Sequence, residues 1–308
     1  YYPVAPLLVN LGVRYEISKQ WVDYYTDGGK AERSELNKND LFPSLNMKYQ
    51  MNEKNSLRFA FSRTVTRPSF IEMAPFLYQE SYGSAQIRGN ADLQNGYNYN
   101  IDLRYELFEK NGDMLSITAY YKHLKAPIER VQTLSGGSAV HSFRNADNGM
   151  ATGVEIEFRK EIVKDLRFGV NGSYMYTNVK LPEGGAYTNS QRALQGASPY
   201  LANADLTYSP AFSNDRQLSV ALLYNLQGPR IHSVGISGLG DIKQQPVHTL
   251  NFTGSYRFNR RFAVKLQVND LLNQDILFKQ EVPTTGDKVE VERFRKGTGF
   301  EVGFSYDL

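Results

Sequence analysis

The feature that most limits the fold of this chain is an alternation of apolar and polar residues at every second position, repeated in long segments from end to end. In residues 153–159 the apolar positions are Val154, Ile156 and Phe158, and the polar positions are Glu155, Glu157 and Arg159. Successive side chains of a β-strand point to opposite faces of a sheet, so this period indicates strands with one apolar and one polar face. About twelve such segments and no convincing helix are predicted.

The connections between these segments alternate between short and long. Short turns are predicted at Asn52–Asn55, Asn111–Asp113, Val163–Lys164, Pro210–Asp215 and Asn259–Arg261. Long polar loops are predicted at 19–41, 67–96, 125–149, 179–197 and 228–245. An antiparallel meander with tight turns at one end and long loops at the other is typical of outer-membrane barrels, whose short turns face the periplasm.

Alternation alone leaves open which face is inside, because a soluble barrel would turn its apolar face inward. The predicted strands run about ten to thirteen residues, which is enough for a tilted bilayer crossing. Tyrosine also recurs on the apolar face near the strand ends, at positions 15, 49, 105, 121, 176, 208, 224, 256 and 306. Aromatic rings with a polar tip favour the membrane interface. We therefore expect an all-β, antiparallel, up-and-down transmembrane β-barrel, with Val154, Ile156 and Phe158 facing lipid and Glu155 and Glu157 facing the lumen.

Composition excludes other classes of protein. Mean hydropathy is −0.47, and no run of about 18 apolar residues occurs, so a helical membrane protein is excluded. A net charge of +3 gives no indication of nucleic-acid binding. The sequence contains no cysteine, which fits an exported protein without disulfides but also fits many others.

Five segments, in the same order along the chain, resemble TonB-dependent receptors of the outer membrane, of the type found in Bacteroidota. They are FSRTVTRPSF (61–70), GNADLQNGYNYNIDLRYE (89–106), ITAYYKHLKAPIE (117–129), RNADNGMATGVEIEFRKEI (144–162) and LQVNDLLNQDILFKQ (266–280). The second segment lacks two prolines of the family pattern, at Ala91 and near Asn95. The resemblance covers nearly the whole chain.

The resemblance implies a barrel of 22 strands, filled by an N-terminal plug domain through which TonB acts. Residues 1–308 would then form the C-terminal portion of the barrel, without plug or signal peptide. The expected location is the cell outer membrane, in contact with lipid and lipopolysaccharide. The implied function is TonB-coupled uptake of a scarce solute, which could be a siderophore, a corrinoid, a glycan or a peptide, without any cofactor.

Candidate ligand-binding residues are aromatic and arginine side chains of the external loops, since aromatic faces suit sugars or siderophore rings and arginine suits anionic groups. These candidates are Trp21, Tyr24, Tyr25, Tyr78, Tyr82, Arg88, Tyr187, Arg192 and Arg230. For each of them, a solvated loop position is the alternative interpretation.

Two rival functions remain open from the residues alone. A self-contained twelve-strand porin or secretion pore would require the first and last strands to pair. An outer-membrane enzyme would require a catalytic triad, and no spacing of serine, histidine and aspartate indicates one, so catalytic residues are not predicted. The four histidines, at 123, 141, 232 and 248, do not have metal-ligand spacing, so a metal site is not predicted either.

Overall fold

The computed structural model describes residues 7–26, 28–79, 86–109, 111–135, 138–182, 187–213 and 215–307. The strands in chain order are β1 (Leu7–Tyr25), β2 (Ala31–Gln50), β3 (Asn55–Thr66), β4 (Leu77–Tyr78), β5 (Ile87–Arg88), β6 (Gly96–Phe108), β7 (Met114–Lys125), β8 (Ile128–Ser135), β9 (Ser138–Asn145), β10 (Asn148–Val163), β11 (Leu166–Lys180), β12 (Gln191–Arg192), β13 (Tyr200–Tyr208), β14 (Gln217–Gln227), β15 (Arg230–Ser233), β16 (Ile242–Gln244), β17 (Val247–Arg257), β18 (Phe262–Asn269), β19 (Ile276–Val282), β20 (Asp287–Phe294) and β21 (Gly299–Tyr306). One short helix, α1, spans Phe70–Met73.

Twelve strands of the main sheet follow one another in the order β1-β2-β3-β6-β7-β10-β11-β13-β14-β17-β18-β21, and each pairs with its neighbour in antiparallel orientation. The two-residue strand β12 is the thirteenth member of this sheet and pairs with the end of β11. The predicted meander of about twelve strands is therefore confirmed. Within the described residues, β1 pairs with β2 alone and β21 with β18 alone, so no ladder closes the sheet between its two end strands.

The short turns lie where the sequence placed them, and asparagine side chains shape three of them. The Asn52 side-chain oxygen accepts backbone N–H groups of Lys54 and Asn55 at 3.0 and 2.9 Å. The Asn259 side-chain oxygen accepts the backbone N–H groups of Arg261 and Phe262, and the Asn111 side-chain oxygen accepts that of Asp113. Such side-chain bonds replace the ladder bonds that end at the turn.

The opposite end of the sheet is more ordered than predicted. Residues 19–41 were expected to be a loop, but β1 and β2 continue as a ladder up to the pair Tyr25 and Ala31. A single helical turn, α1, also lies at this end, where Ser69 and Glu72 form the capping box that starts it. Two further small sheets lie at this end, β4-β5-β9-β8 and β15-β16-β19-β20, the second of which includes the long connection 270–298 that the sequence analysis missed.

The two faces of the main sheet differ as the alternation predicts. Large apolar side chains are left uncovered along it: Leu11 is 81% exposed, Phe304 is 72% exposed and Ile156 is 48% exposed. A contiguous uncovered apolar surface of this kind indicates contact with lipid. The fully buried apolar side chains, such as Met73, Leu93 and Leu181, lie instead at the loop end. Within the described residues, no helix has the length and apolar composition needed to cross a membrane.

The polar face carries a charge network across neighbouring strands. Arg58 and Arg104 stand directly opposite each other on β3 and β6, an arrangement that is unfavourable by itself. The buried Glu106 carboxylate resolves it, because it accepts Arg58 Nε at 2.7 Å and Arg104 Nε at 2.9 Å. Ser56 Oγ donates to the same carboxylate at 3.0 Å.

Candidate functional site

The segments at the long-loop end pack against one another and form a structured assembly, which we call the loop head. Its apolar centre joins the β8–β9 hairpin to the segment after β11, through Val131, Ala146, Val179 and Leu181, with Tyr187 and Leu194 packed against them. The loops that were predicted as separate polar segments are therefore mutually supported.

Asparagine side chains attach the segment after β5 to this hairpin. Asn90 Nδ2 donates to the Phe143 carbonyl at 2.9 Å. Asn145 accepts the Gln94 backbone N–H at 2.8 Å and donates to the Gln94 carbonyl at 2.9 Å. Because backbone groups of Gln94 and Phe143 are fixed in this way, their neighbours hold defined positions at the surface.

A buried ion pair locks two loops together. Arg192 Nη1 lies 3.0 Å from Glu129 Oε2, and the two side chains are only 3% and 5% exposed. Burial raises the pKa of the Glu129 carboxyl above its usual range, and attraction by Arg192 offsets part of that rise. Arg192 was predicted as a ligand-binding residue, but its guanidinium is held inside the loop head by Glu129 and by the Ala193 carbonyl at 3.1 Å.

His141 is a second buried polar group, on β9. Arg130 Nε donates to its Nδ1 at 2.8 Å, and Gln132 Nε2 lies 3.1 Å from its Nε2. Burial, followed by the charges of Arg130 and His232, lowers the pKa of His141 to about 4, so the ring is neutral at pH 7. Gln132 also bonds to Ser233 Oγ, which ties the hairpin to β15.

A cavity of about 520 Å³ opens between three of these loops. Its lining consists of Asn90, Asp92, Gln94, Val131, Gln132, Ser142, Phe143, Arg144, Asn145 and Tyr187. Within the described part of the chain, the Asp92 carboxylate and the Arg144 guanidinium have no hydrogen-bond or ion-pair partner, and the buried Tyr187 hydroxyl has no hydrogen-bond partner. One carboxylate, one guanidinium, several amides and two aromatic rings can bind a polar organic solute.

The structure places two of the predicted ligand residues near this cavity. Tyr187 lines it. Tyr24, on the β1–β2 hairpin, donates its hydroxyl to Glu32 at 3.1 Å. Burial and Glu32 raise the pKa of Tyr24, and the charge of Asp92 adds to that rise. The hairpin lies close to the cavity rim, since Ser34 Oγ donates to the carbonyl of Ala91, the neighbour of Asp92, at 2.6 Å.

The other candidates lie elsewhere. Trp21 and Tyr25 are exposed on the hairpin, Tyr78 and Arg88 lie in β4 and β5, and Arg230 bonds to Gln244 at 2.7 Å. Tyr82 falls outside the described residues. Sequence reasoning missed Asp92 and Arg144, because residues of these types in a turn-rich segment carry no signal that separates a binding position from a solvated one.

No metal centre is found in the part of the chain that the structure describes, where no group of three histidine, cysteine, aspartate or glutamate side chains could hold an ion.

A sheet with an uncovered apolar face, a charged opposite face, tight turns at one end and a loop head at the other defines the class of outer-membrane β-barrel proteins. Residues 6–306 match the model of the outer membrane protein beta-barrel family, and the chain belongs to that family. It is therefore a protein of the outer membrane.

The chain is also similar to known receptors. It is 21% identical over 270 residues to the ferric enterobactin receptor of Pseudomonas aeruginosa, an alignment that covers 81% of this chain and 35% of the receptor. The crystal structure of the ferric yersiniabactin uptake receptor FyuA from Yersinia pestis covers the whole chain at 14% identity, with a TM-score of 0.69. The siderophore receptor PirA from Acinetobacter baumannii covers 99% of it at 16% identity, with a TM-score of 0.64. The chain spans 44% of each of these two receptor structures, so the shared property is the barrel fold.

Proposed function

We propose that this chain forms wall strands and external loops of a TonB-coupled receptor that imports a scarce solute across the outer membrane. The observation that carries the proposal is the cavity of the loop head, where Asp92, Arg144 and Tyr187 present polar groups that have no hydrogen-bond partner among the described residues. Unpaired polar groups around a cavity are what a solute-binding site requires before its ligand arrives.

The organisation of the fold supports this role. The cavity lies at the long-loop end, which faces the cell exterior in outer-membrane barrels. The fold is shared with proteins named as siderophore receptors. We infer that a siderophore is the first solute class to test, followed by corrinoids, glycans and peptides.

We further propose that additional strands complete the barrel. Unpaired N–H and C=O groups in hydrocarbon are costly, and β1 and β21 each present one unpaired edge among the described residues. Barrels of 22 strands enclose a lumen wide enough for a plug, and this chain contributes twelve strands to its sheet. We also propose that the chain is the C-terminal part of such a barrel, of the Bacteroidota type, and that TonB acts through a plug domain.

The passive-pore alternative receives less support. A porin of twelve strands requires β1 and β21 to pair in a continuous antiparallel ladder, and the described residues of these two strands form no such ladder. No catalytic role is proposed, since the described residues that line the cavity do not place a nucleophile beside a base.

The proposal is tested by solute binding to cavity variants of the protein in outer-membrane preparations. Labelled ferric siderophores, corrinoids, oligosaccharides and peptides are screened first. Arg144→Ala and Asp92→Asn should each weaken binding of the recognised solute roughly 10- to 100-fold, because a hydrogen bond to a charged group contributes about 1.5–3 kcal/mol.

Matched control variants are available on the β1–β2 hairpin. Arg33→Ala and Asp23→Asn remove the same residue types from a mutual ion pair of 2.6 Å that does not line the cavity. They should leave affinity unchanged. Equal loss in cavity and control variants, or no loss in either, would reject the cavity as the binding site.

A further inference from the structure

The cavity of the loop head carries one unpaired charge of each sign. Asp92 lines it from the segment after β5, and Arg144 lines it from β9. Within the described part of the chain, neither charged group forms an ion pair, either with the other or with a third residue. Two opposite charges therefore remain available in one cavity, and the structure around each of them explains why it is free.

Asp92 is held in its turn through its backbone, and its carboxylate takes no part. The Asp92 N–H donates to the Asn90 side-chain oxygen at 2.9 Å, and the Asp92 carbonyl accepts Gln94 Nε2 at 3.4 Å. The preceding carbonyl, of Ala91, accepts Ser34 Oγ from the β1–β2 hairpin at 2.6 Å. The turn is fixed by these bonds, so the carboxylate is left for a ligand.

Arg144 is free because the acidic residue opposite it is already paired. On the β8–β9 hairpin, Arg144 stands directly across from Glu129. The Glu129 carboxylate is bound by the buried Arg192 at 3.0 Å. The backbone beside Arg144 is held in place, since the Phe143 carbonyl accepts Asn90 Nδ2 at 2.9 Å. The guanidinium can therefore offer its N–H donors to a solute.

A solute with only one sign of charge does not suit this pair. An anion bound to Arg144 would share the cavity with the Asp92 carboxylate, and a cation bound to Asp92 would share it with the Arg144 guanidinium. Like charges brought together in this way weaken binding. A zwitterion gives each protein group a counter-charge, and hydrogen bonds between ionised partners are the strong ones.

Tyr187 adds a contact for the neutral part of such a solute. Its hydroxyl is buried and has no hydrogen-bond partner among the residues that the structure describes. Its ring forms the apolar part of the lining together with Val131 and Phe143. A buried hydroxyl is unfavourable until it finds a partner, and the carbonyl of an amide is a suitable acceptor. A volume of about 520 Å³ lies in the range that holds a small organic ligand.

We propose that the cavity selects a zwitterionic, peptide-like solute, whose ammonium group binds Asp92, whose carboxylate binds Arg144 and whose amide carbonyl accepts the Tyr187 hydroxyl. This inference rests on the proposed function and narrows it. Within each class of solute considered there, members with a free amine and a free carboxylate are favoured over purely anionic ones. Asp92 is then the specificity-determining residue, because it attracts the zwitterion and repels the anion.

The test compares three forms of one mixture of tripeptides: with free termini, with an acetylated amino terminus, and with an amidated carboxyl terminus. Binding to the protein purified from outer membranes is measured by equilibrium dialysis and mass spectrometry. The peptides with free termini should bind about tenfold more tightly than either blocked form, or better, because each block removes one charge-assisted contact.

Variants close in size to the native residues assign each charge to its partner. Asp92→Asn should bind the free and the acetylated peptides equally, and Arg144→Gln should bind the free and the amidated peptides equally. Tyr187→Phe should weaken all three forms by a similar factor. The control Asp23→Asn, on the β1–β2 hairpin, should keep both preferences. A merely structural role of Asp92 or Arg144 would not remove the discrimination against one blocked form alone.

A trianionic complex of iron with three catecholates separates this inference from the receptor function. Asp92→Asn should weaken the binding of peptides and strengthen the binding of this anion, because it removes a like charge. Tight binding of the anion beside undetectable binding of peptides would overturn the zwitterionic selectivity and leave the receptor function standing. Equal binding of the three peptide forms would overturn it as well. Failure of every solute in the screen to bind would overturn the proposed function and this inference together.

Discussion

Replacing Ile156 with arginine measures whether the apolar face of the sheet meets lipid. Ile156 lies on β10 between Ile117 and Gly172, about midway between the upper tyrosines and the short turns, and is 48% exposed. Arginine at the midplane of the lipid-facing side of a barrel destabilises the folded state by about 2–4 kcal/mol. In an aqueous setting the same exposed position would tolerate the change within about 0.5 kcal/mol.

A matched arginine can be placed on the other face. Ser173 is the cross-strand partner of Glu155, and its side chain lies on the polar side of β11. Ser173→Arg adds the same charge beside a carboxylate, so we expect a change below about 1 kcal/mol. The two variants differ mainly in which face receives the arginine.

The assay is equilibrium unfolding of the protein in phospholipid vesicles by guanidinium, followed by tryptophan fluorescence and by electrophoretic mobility. A loss of 2–4 kcal/mol corresponds to a change of about 30- to 700-fold in the folding equilibrium. Equal stability of the two variants would refute the assignment of faces. A larger loss of stability for Ser173→Arg than for Ile156→Arg would show that the lipid-facing and lumen-facing sides are exchanged.

Three further outcomes follow from buried and paired groups. Glu129→Gln should destabilise the loop head by about 3–5 kcal/mol because it leaves Arg192 buried without a counter-charge, and replacing both residues with methionine should restore most of the lost stability. The assay is the protease resistance of the loops, and equal sensitivity of the two variants to protease would contradict this prediction. Glu106→Gln should lower the free energy of unfolding by about 1–2 kcal/mol, because the two facing arginines lose their shared carboxylate; the loss is modest because both arginines are partly exposed. Unfolding titrations measure it, and an unchanged midpoint would contradict the prediction. His141, whose pKa falls to about 4 in the folded state, binds a proton more readily when the loops open, so the stability of the loops should decrease as pH falls from 7 to 5. His141→Asn keeps an acceptor for Arg130 and should flatten this pH dependence, measured by hydrogen exchange of the loops; an identical pH profile in both proteins would show that His141 is not its source.

The strands of the main sheet were predictable because each has one face toward lipid and one toward water, which imposes a strict alternation. The hairpin of 19–41 was not predicted because it lacks such an alternation of apolar and polar residues. Its ladder carries polar pairs such as Asp23 with Arg33 and Tyr24 with Glu32, and its buried positions include the polar Ser34 and Asp40 beside Leu36, so no apolar period marks it. The β19–β20 hairpin in 270–298 was missed similarly, since β20 is exposed along its whole length.

The candidate site was predicted only in its location at the long-loop end. The buried pair of Glu129 and Arg192 joins residues 63 positions apart, and no local pattern announces such a contact. The helix α1 is too short for a helical period, although Ser69 and Glu72 carry the spacing of a capping box. Of the described ligand residues chosen for aromatic or basic character, Tyr187 alone lines the cavity, because loop packing decides which side chains face it.

The measurement that tests the account most directly is uptake of the recognised solute by cells, with and without an energised inner membrane. In a TonB-coupled receptor, binding to the cell surface persists when a protonophore is added or TonB is deleted, while accumulation in the periplasm stops. We predict this separation of binding from transport, with both reduced in the Arg144→Ala variant. Accumulation that continues unchanged without TonB, at a rate proportional to the outside concentration, would contradict the receptor account and establish a passive pore.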